Sequence, residues 1–166
     1  VASWEGEPFD YWIIGYGNPQ RRDDGIGFHV IHELKKVLKH QRKVKLRTLH
    51  QLGPELAEEL KDAREVLLVD ASVTPLKGGR SWSRVCADLK ELPYLTHHVK
   101  PGFLLGLLES VYHRSPGMRL ISVQGYDFGF GHGLSPEGAK GAKKVISELI
   151  DFVTREWIDN PRLPNE

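Results

Sequence analysis

At 166 residues, 40% of them hydrophobic and 27% charged, the chain is the size of one domain that buries its own core without disulfides or structural metal. Lysine plus arginine number 23 against 22 aspartate plus glutamate, a net charge of +1, which removes nucleic acid from the expected partners because a phosphate backbone selects a clear basic excess. No apolar run approaches the roughly 20 residues that cross a bilayer, and a lone cysteine, Cys86, excludes an internal disulfide and a multi-thiolate zinc site; no membrane is expected, and a reducing, cytoplasmic setting is.

The stretch Val1 to Asp10 has no signal-peptide layout and no initiating Met. Residues 1–10 are expected to be a flexible, trimmed or modified start, and 159–166 a flexible tail, of a single domain spanning 1–166. Tyr11-Trp12-Ile13-Ile14 then reads as a buried strand delivered into the turn Gly15-Tyr16-Gly17-Asn18-Pro19. Beyond the polar Gln20 to Gly25, the apolar residues Ile26, Val30, Leu34, Val37 and Leu38 recur at helical spacing, predicting a helix of about four turns. Val44, Leu46 and Thr48 alternate with Lys45 and Arg47 as a half-exposed strand does, and Pro54 opens a short helix through Leu56 and Leu60.

Val66-Leu67-Leu68-Val69, closed by Asp70, fits a central parallel strand buried on both faces. Trp82 to Cys86 predicts a further strand at the sheet edge, with Cys86 packing as a small apolar side chain. Leu104, Leu107, Leu108, Val111 and Tyr112 mark an amphipathic helix that begins near Pro101 and ends before Pro116-Gly117. Met118 to Val123 supplies another strand. Ser135 as N-cap and Pro136 at the first helical position start a last helix, whose Ala142, Val145, Ile146, Leu149 and Val153 form one stripe. Strands alternating with helices predict an α/β three-layer sandwich: a mainly parallel, twisted sheet of about five strands with helices on both faces. In such folds ligands gather at the C-terminal ends of the strands.

Three acids fall at those ends. Asp23 and Asp24 sit at a helix start, where the helix dipole favours negative charge, and either acts as a cap or as a ligand. Asp70 closes the third strand. A dinucleotide fingerprint is excluded, because Gln20 stands where its third glycine belongs. Neighbouring His97 and His98 precede the Pro101 helix, and one imidazole with two carboxylates suits nickel, zinc, manganese or iron better than calcium or magnesium. Asp127 and His132 lie in a glycine-rich loop that borders the same edge and read first as solvated loop residues. No Ser or Thr sits in a nucleophile motif.

The run Gly15-Tyr16-Gly17-Asn18-Pro19-Gln20-Arg21-Arg22-Asp23-Asp24-Gly25-Ile26-Gly27 resembles the N-terminal signature of the hydrogenase maturation endopeptidases. Three later segments agree in order: the strand ending in Asp70-Ala71, the His97 segment before a Leu-rich helix, and Gly133-Leu134-Ser135-Pro136. Leu49-His50-Gln51-Leu52-Gly53-Pro54-Glu55-Leu56 further resembles the branch serving bidirectional, NAD-linked nickel-iron hydrogenases.

The resemblance implies a three-layer α/β fold in which Asp24, Asp70 and His97 contact nickel, with no separate cofactor-binding residues. The family admits Glu or Asp at the first of these positions, and this chain carries the shorter acid. His97 is preferred to His98 because it leaves Val99, Pro101, Leu104 and Leu105 where the family has apolar residues or proline. The implied activity is an aspartic-type endopeptidase that activates its partner: it removes the C-terminal extension of a nickel-iron hydrogenase large-subunit precursor, the nickel being presented by that subunit. Two alternatives accompany it. One is an assembly chaperone that binds the nickel-loaded subunit without cutting it. The other is a peptidyl-tRNA hydrolase, whose opening Gly15 to Pro19 also resembles, but the Arg-His-Asn segment expected soon afterwards is missing and the charge is not basic.

Overall fold

The structure, a computed structural model, describes residues 10–90 and 99–158. Five strands form one sheet: β1 (Tyr11–Tyr16), β2 (Val44–Leu49), β3 (Glu65–Ser72), β4 (Arg80–Arg84) and β5 (Gly117–Gln124), in the order β2-β1-β3-β5-β4. β2, β1, β3 and β5 run parallel; β4 lies antiparallel on β5 at the edge. The parallel strands are joined through α1 (Ile26–Leu38), α2 (Leu56–Leu60) and α3 (Pro101–Tyr112), and α4 (Pro136–Ile158) follows β5. Each parallel step requires a crossover, and the helical periodicity in the intervening segments supplies it.

The period of two along the strands divides the core between the sheet's faces. Tyr11, Ile13, Leu67, Val69, Ile121 and Val123 pack under α1 and α4, whereas Trp12, Ile14, Val66, Leu68 and Met118 pack under α2 and α3. The alternation makes β1 and β3 apolar on both sides, which is why they read as unbroken hydrophobic runs. The expected three-layer sandwich is therefore the observed one.

Two boundaries differ from expectation. β3 continues past Asp70 to Ser72 because β5 runs alongside it, pairing Ala71 with Val123 and Ser72 with Gln124. β4 occupies Arg80–Arg84 rather than Trp82 to Cys86; its last ladder pair is Arg84 with Arg119. Cys86 consequently lies beyond the strand and is exposed, which corrects the expectation that it packs in the interior. At the N-terminus, the Asp10 carbonyl accepts the N–H groups of Arg64 (3.0 Å) and Glu65 (2.9 Å), tying the entry to β1 against the start of β3. The remaining residues of the two expected flexible ends lie outside the described residues.

The first crossover is held close by glycine. A Cβ on Gly27 would stand 2.7 Å from the Tyr16 nitrogen and 2.8 Å from the Val69 carbonyl oxygen, nearer than a side-chain carbon tolerates. Gly27 thus lets the start of α1 rest on the ends of β1 and β3, at the C-terminal edge where the three acids were expected to gather.

Candidate active site

β1 ends at Tyr16 and the chain turns at Gly17, whose φ of +141° lies in a region that L side chains rarely adopt. The Gly17 N–H is secured to the Leu49 carbonyl at 3.1 Å. The loop then closes on itself: Arg21 N–H donates to the Asn18 carbonyl and Asp24 N–H to the Arg21 carbonyl, both at 3.0 Å. The Asn18 N–H donates to Asp24 Oδ2 at 3.1 Å. A 3-10 turn over Arg22–Gly25 presents the two acids, and their side chains go to different places.

Asp23 is fully buried and serves structure. Its carboxylate accepts the backbone N–H groups of Tyr126 (2.7 Å), Asp127 (3.1 Å) and Ser135 (2.7 Å), together with the Ser135 hydroxyl (2.6 Å). Burial alone pushes its pKa up, but those bonds outweigh it and hold the carboxyl below its ordinary range. Ser135 Oγ in turn accepts the Gly138 N–H at 3.0 Å, the expected N-cap of α4. Asp23 therefore caps no helix of its own; the residue before α1 is Gly25, with no side-chain cap. It fastens the loop after β1 to the loop between β5 and α4.

Asp24 and Asp70 are the pair brought together. In the parallel register Gly15 stands opposite Val69, so Tyr16 and Asp70 come next on neighbouring strands. Both continue the even-numbered set that faces α2 and α3. The Tyr16 hydroxyl donates to the Asp70 carboxylate, and Asp24 is near enough for its charge to act on Asp70. The pKa of Asp70 is pushed up to about 6, by burial first and by the Asp24 charge in addition, against the lowering effect of bonds from Tyr16 and the Ala71 N–H. The Tyr16 phenol is itself held neutral far above its ordinary range by burial and by the charge of Asp70. A buried carboxyl reluctant to ionise, within reach of a second carboxylate's charge, is a place where a cation would relieve desolvation and repulsion.

Removing the Tyr16 hydroxyl isolates its part in this balance. In Tyr16→Phe the ionised form of Asp70 loses its side-chain donor, so its pKa is expected to rise further above 6, with roughly a tenfold gain in proton affinity. A carbon-13 carboxyl titration of the metal-free protein reads this directly, and an unchanged midpoint would remove Tyr16 from the site. Sequence reasoning gives Tyr16 no place beside Asp70 and Asp23 no place as a fastening between two loops. Strand parity and register contain the signal for Tyr16, whereas the four bonds to Asp23 come from residues more than 100 positions away.

His97 and His98 lie outside the described residues. The chain is described again from Val99, whose N–H donates to the Leu52 carbonyl at 3.0 Å and whose side chain packs in the α2/α3 layer, on the face of the sheet that carries Tyr16 and Asp70. Among the described residues no three acids, histidines or cysteines stand together as a metal-binding group; Asp24 and Asp70 contribute a pair. His132 is exposed. Asp127 is half-exposed and pairs with Arg22 at 3.4 Å, while its backbone belongs to the Asp23 fastening.

No protein-family model matches the chain, and no curated protein matches it in sequence. Solved structures do match in fold. A nickel-iron hydrogenase maturation protease from Thermococcus kodakarensis is similar at a TM-score of 0.68 and 19% identity, over 88% of this chain and 93% of that one. A hydrogenase maturating endopeptidase from E. coli is similar at 0.65 and 18%, over 89% and 93%. A hydrogenase 2 maturation peptidase from a Thaumarchaeota archaeon is similar at 0.64 and 21%, over 87% and 97%. The chain shares the three-layer α/β fold of these proteins along nearly its whole described length.

Proposed function

We propose that the chain is an endopeptidase of the hydrogenase maturation type, which removes the C-terminal extension of a nickel-iron hydrogenase large subunit after nickel has been inserted. The observation that carries this reading is the Asp24–Asp70 carboxylate pair at the C-terminal edge of a sheet whose fold matches solved maturation proteases. The functions of those proteins are their own. The signature run from Gly15 to Gly27 is what extends the function to this chain.

In this reading Asp24, Asp70 and His97 engage the nickel that the partner subunit carries. The chemistry of the donors fits a borderline divalent ion, with oxygen from two acids and nitrogen from an imidazole. His97 enters through the sequence resemblance, and its place two residues before Val99 supports the assignment. Nickel held between the two proteins fixes the scissile peptide in place and polarises groups next to it. On this chain's side, Asp24 is oriented by the Asn18 N–H and Asp70 by Tyr16, so both carboxylates are in position before the partner arrives. The partner's metal status then becomes a condition of cutting, since a subunit without nickel offers nothing for the carboxylates to hold.

The test is incubation of purified nickel-loaded precursor with the purified chain, followed by intact mass. A product shortened at its C-terminus is expected. Unchanged mass while the two proteins co-elute would instead favour the assembly-chaperone reading.

A further inference from the structure

Near the candidate site stand exposed apolar side chains that the carboxylate chemistry does not use. Phe130 is 91% exposed, Val73 77% and Tyr126 52%; Val73 directly follows β3, and Tyr126 and Phe130 lie in the loop between β5 and α4. The Gly125 N–H donates to the Ser72 carbonyl at 2.9 Å, which carries the β3–β5 pairing one step past the strand ends, with Val73 level with Gly125. A large aromatic ring left almost wholly exposed on a loop beside a candidate site is available to meet another molecule.

The loop that carries Phe130 is clamped on both sides of it. Before it, Tyr126 and Asp127 donate to the buried Asp23 carboxylate, the Asp127 carbonyl accepts the Asp23 N–H at 2.9 Å, and the Gly129 N–H returns to Asp127 Oδ1 at 2.9 Å. After it, the Gly131 N–H donates to the Gln20 carbonyl at 2.9 Å and the Gly131 carbonyl accepts the Arg22 N–H at 3.1 Å. The neighbouring Phe128 turns inward over Gly125, while Phe130 stands out. An exposed ring on a backbone fastened at both ends is pre-organised, so little conformational entropy is lost when a partner covers it.

We infer that Phe130, flanked by Tyr126, is the anchor by which the protein substrate docks, received by an apolar hollow of that partner beside its scissile segment. The inference rests on the protease reading and names the surface that reading leaves unassigned. Continuity with the site identifies the occupant. Phe130 adjoins Gly131, which is bonded to Arg22, two residues from Asp24, so at ~3.8 Å per residue the ring's backbone lies on the order of 15 Å from that acid. A protein interface of ordinary size covers about 800 Å² of each partner, roughly 30 Å across. A protein that brings a group to Asp24 and Asp70 over an interface of that size reaches as far as Phe130, whereas a small ligand held by the carboxylates has no use for it.

The experiment measures steady-state cleavage of nickel-loaded large-subunit precursor by wild type, Phe130→Ala and Phe130→Leu, with Val37→Ala as an exposed apolar control at the far, C-terminal end of α1. Phe130→Ala is expected to raise KM about tenfold with kcat within about twofold. Phe130→Leu retains apolar volume and should stay within about threefold of wild type, and Val37→Ala should be unchanged. The melting temperature of Phe130→Ala should match wild type, because an exposed ring contributes little to folding. If wild type cuts the precursor and Phe130→Ala does so with unaltered KM, the docking inference is overturned and the protease reading stands. If wild type neither cuts nor binds the precursor, the protease reading falls and the docking inference with it.

Discussion

Replacing Asp70 with asparagine is expected to abolish cleavage and, at the same time, to make the protein more stable. The two effects share one cause. Asp70 is held partly buried beside Asp24, with its pKa pushed up to about 6. Because this folded-state value exceeds that of an unfolded aspartate, near 3.9, the ionised group opposes folding. The penalty develops as pH rises from about 4 through 6 and is complete above that. Asparagine keeps the shape, accepts the Tyr16 hydroxyl and removes the charge, so the variant should gain on the order of 1–2 kcal/mol at neutral pH after allowance for partial exposure, a few degrees in Tm.

On the proposed reading the same substitution would remove an anionic ligand for the partner's nickel, and kcat/KM should fall by about a thousandfold or more. In wild type, cleavage should decline as pH falls through about 6, since a carboxyl must shed its proton to ligate. Thermal denaturation at pH 7.5 and a cleavage assay on the same preparation measure both. A variant that is inactive and also less stable would show that Asp70 is a structural residue, not a strained functional one.

Asp23 should behave in the opposite way. Its carboxylate is fully buried and accepts from three backbone N–H groups and one hydroxyl, so Asp23→Asn places an amide NH₂ against donors and leaves some of them unsatisfied. Loss of charge-assisted bonds in a buried network costs about 3 kcal/mol, near 10 °C in Tm for a domain of this size. The sign with pH follows from the lowered folded-state pKa. The contribution of Asp23 is present above about pH 4 and is lost as pH falls through its folded value, so the gap between variant and wild type should narrow under acid. Chemical denaturation at pH 7 and at pH 3 reads it; a gap that is equally wide at both would show that the carboxylate charge is not what fastens the two loops.

The sequence anticipates the fold more fully than the site, for reasons visible in particular residues. Continuous runs such as Val66 to Val69 can bury both faces only inside a sheet, and the helical spacing from Ile26 to Leu38 supplies the crossover, so the layered architecture follows from local patterning. β4 was displaced by two residues because an edge strand is half solvated and its composition carries little alternation; Cys86 was misplaced with it. Asp24 and Asp70 are expected at the site from their position at strand ends together with the resemblance of the signature. The division of labour between adjacent Asp23 and Asp24 is not, because both sit in the same turn and only the loop from Tyr126 to Ser135, distant in sequence, decides which one is consumed by structure. Tyr16 was read as part of a turn, yet the strand extends to include it and the register sets it beside Asp70.

The measurement that reaches the central claim most directly compares one purified large-subunit precursor in two forms, with nickel inserted and without it, each incubated with the wild-type chain and followed by intact mass. Reading of the partner's nickel by Asp24, Asp70 and His97 predicts loss of the C-terminal peptide from the loaded form alone. Efficient cutting of the nickel-free precursor in the presence of chelator would contradict it.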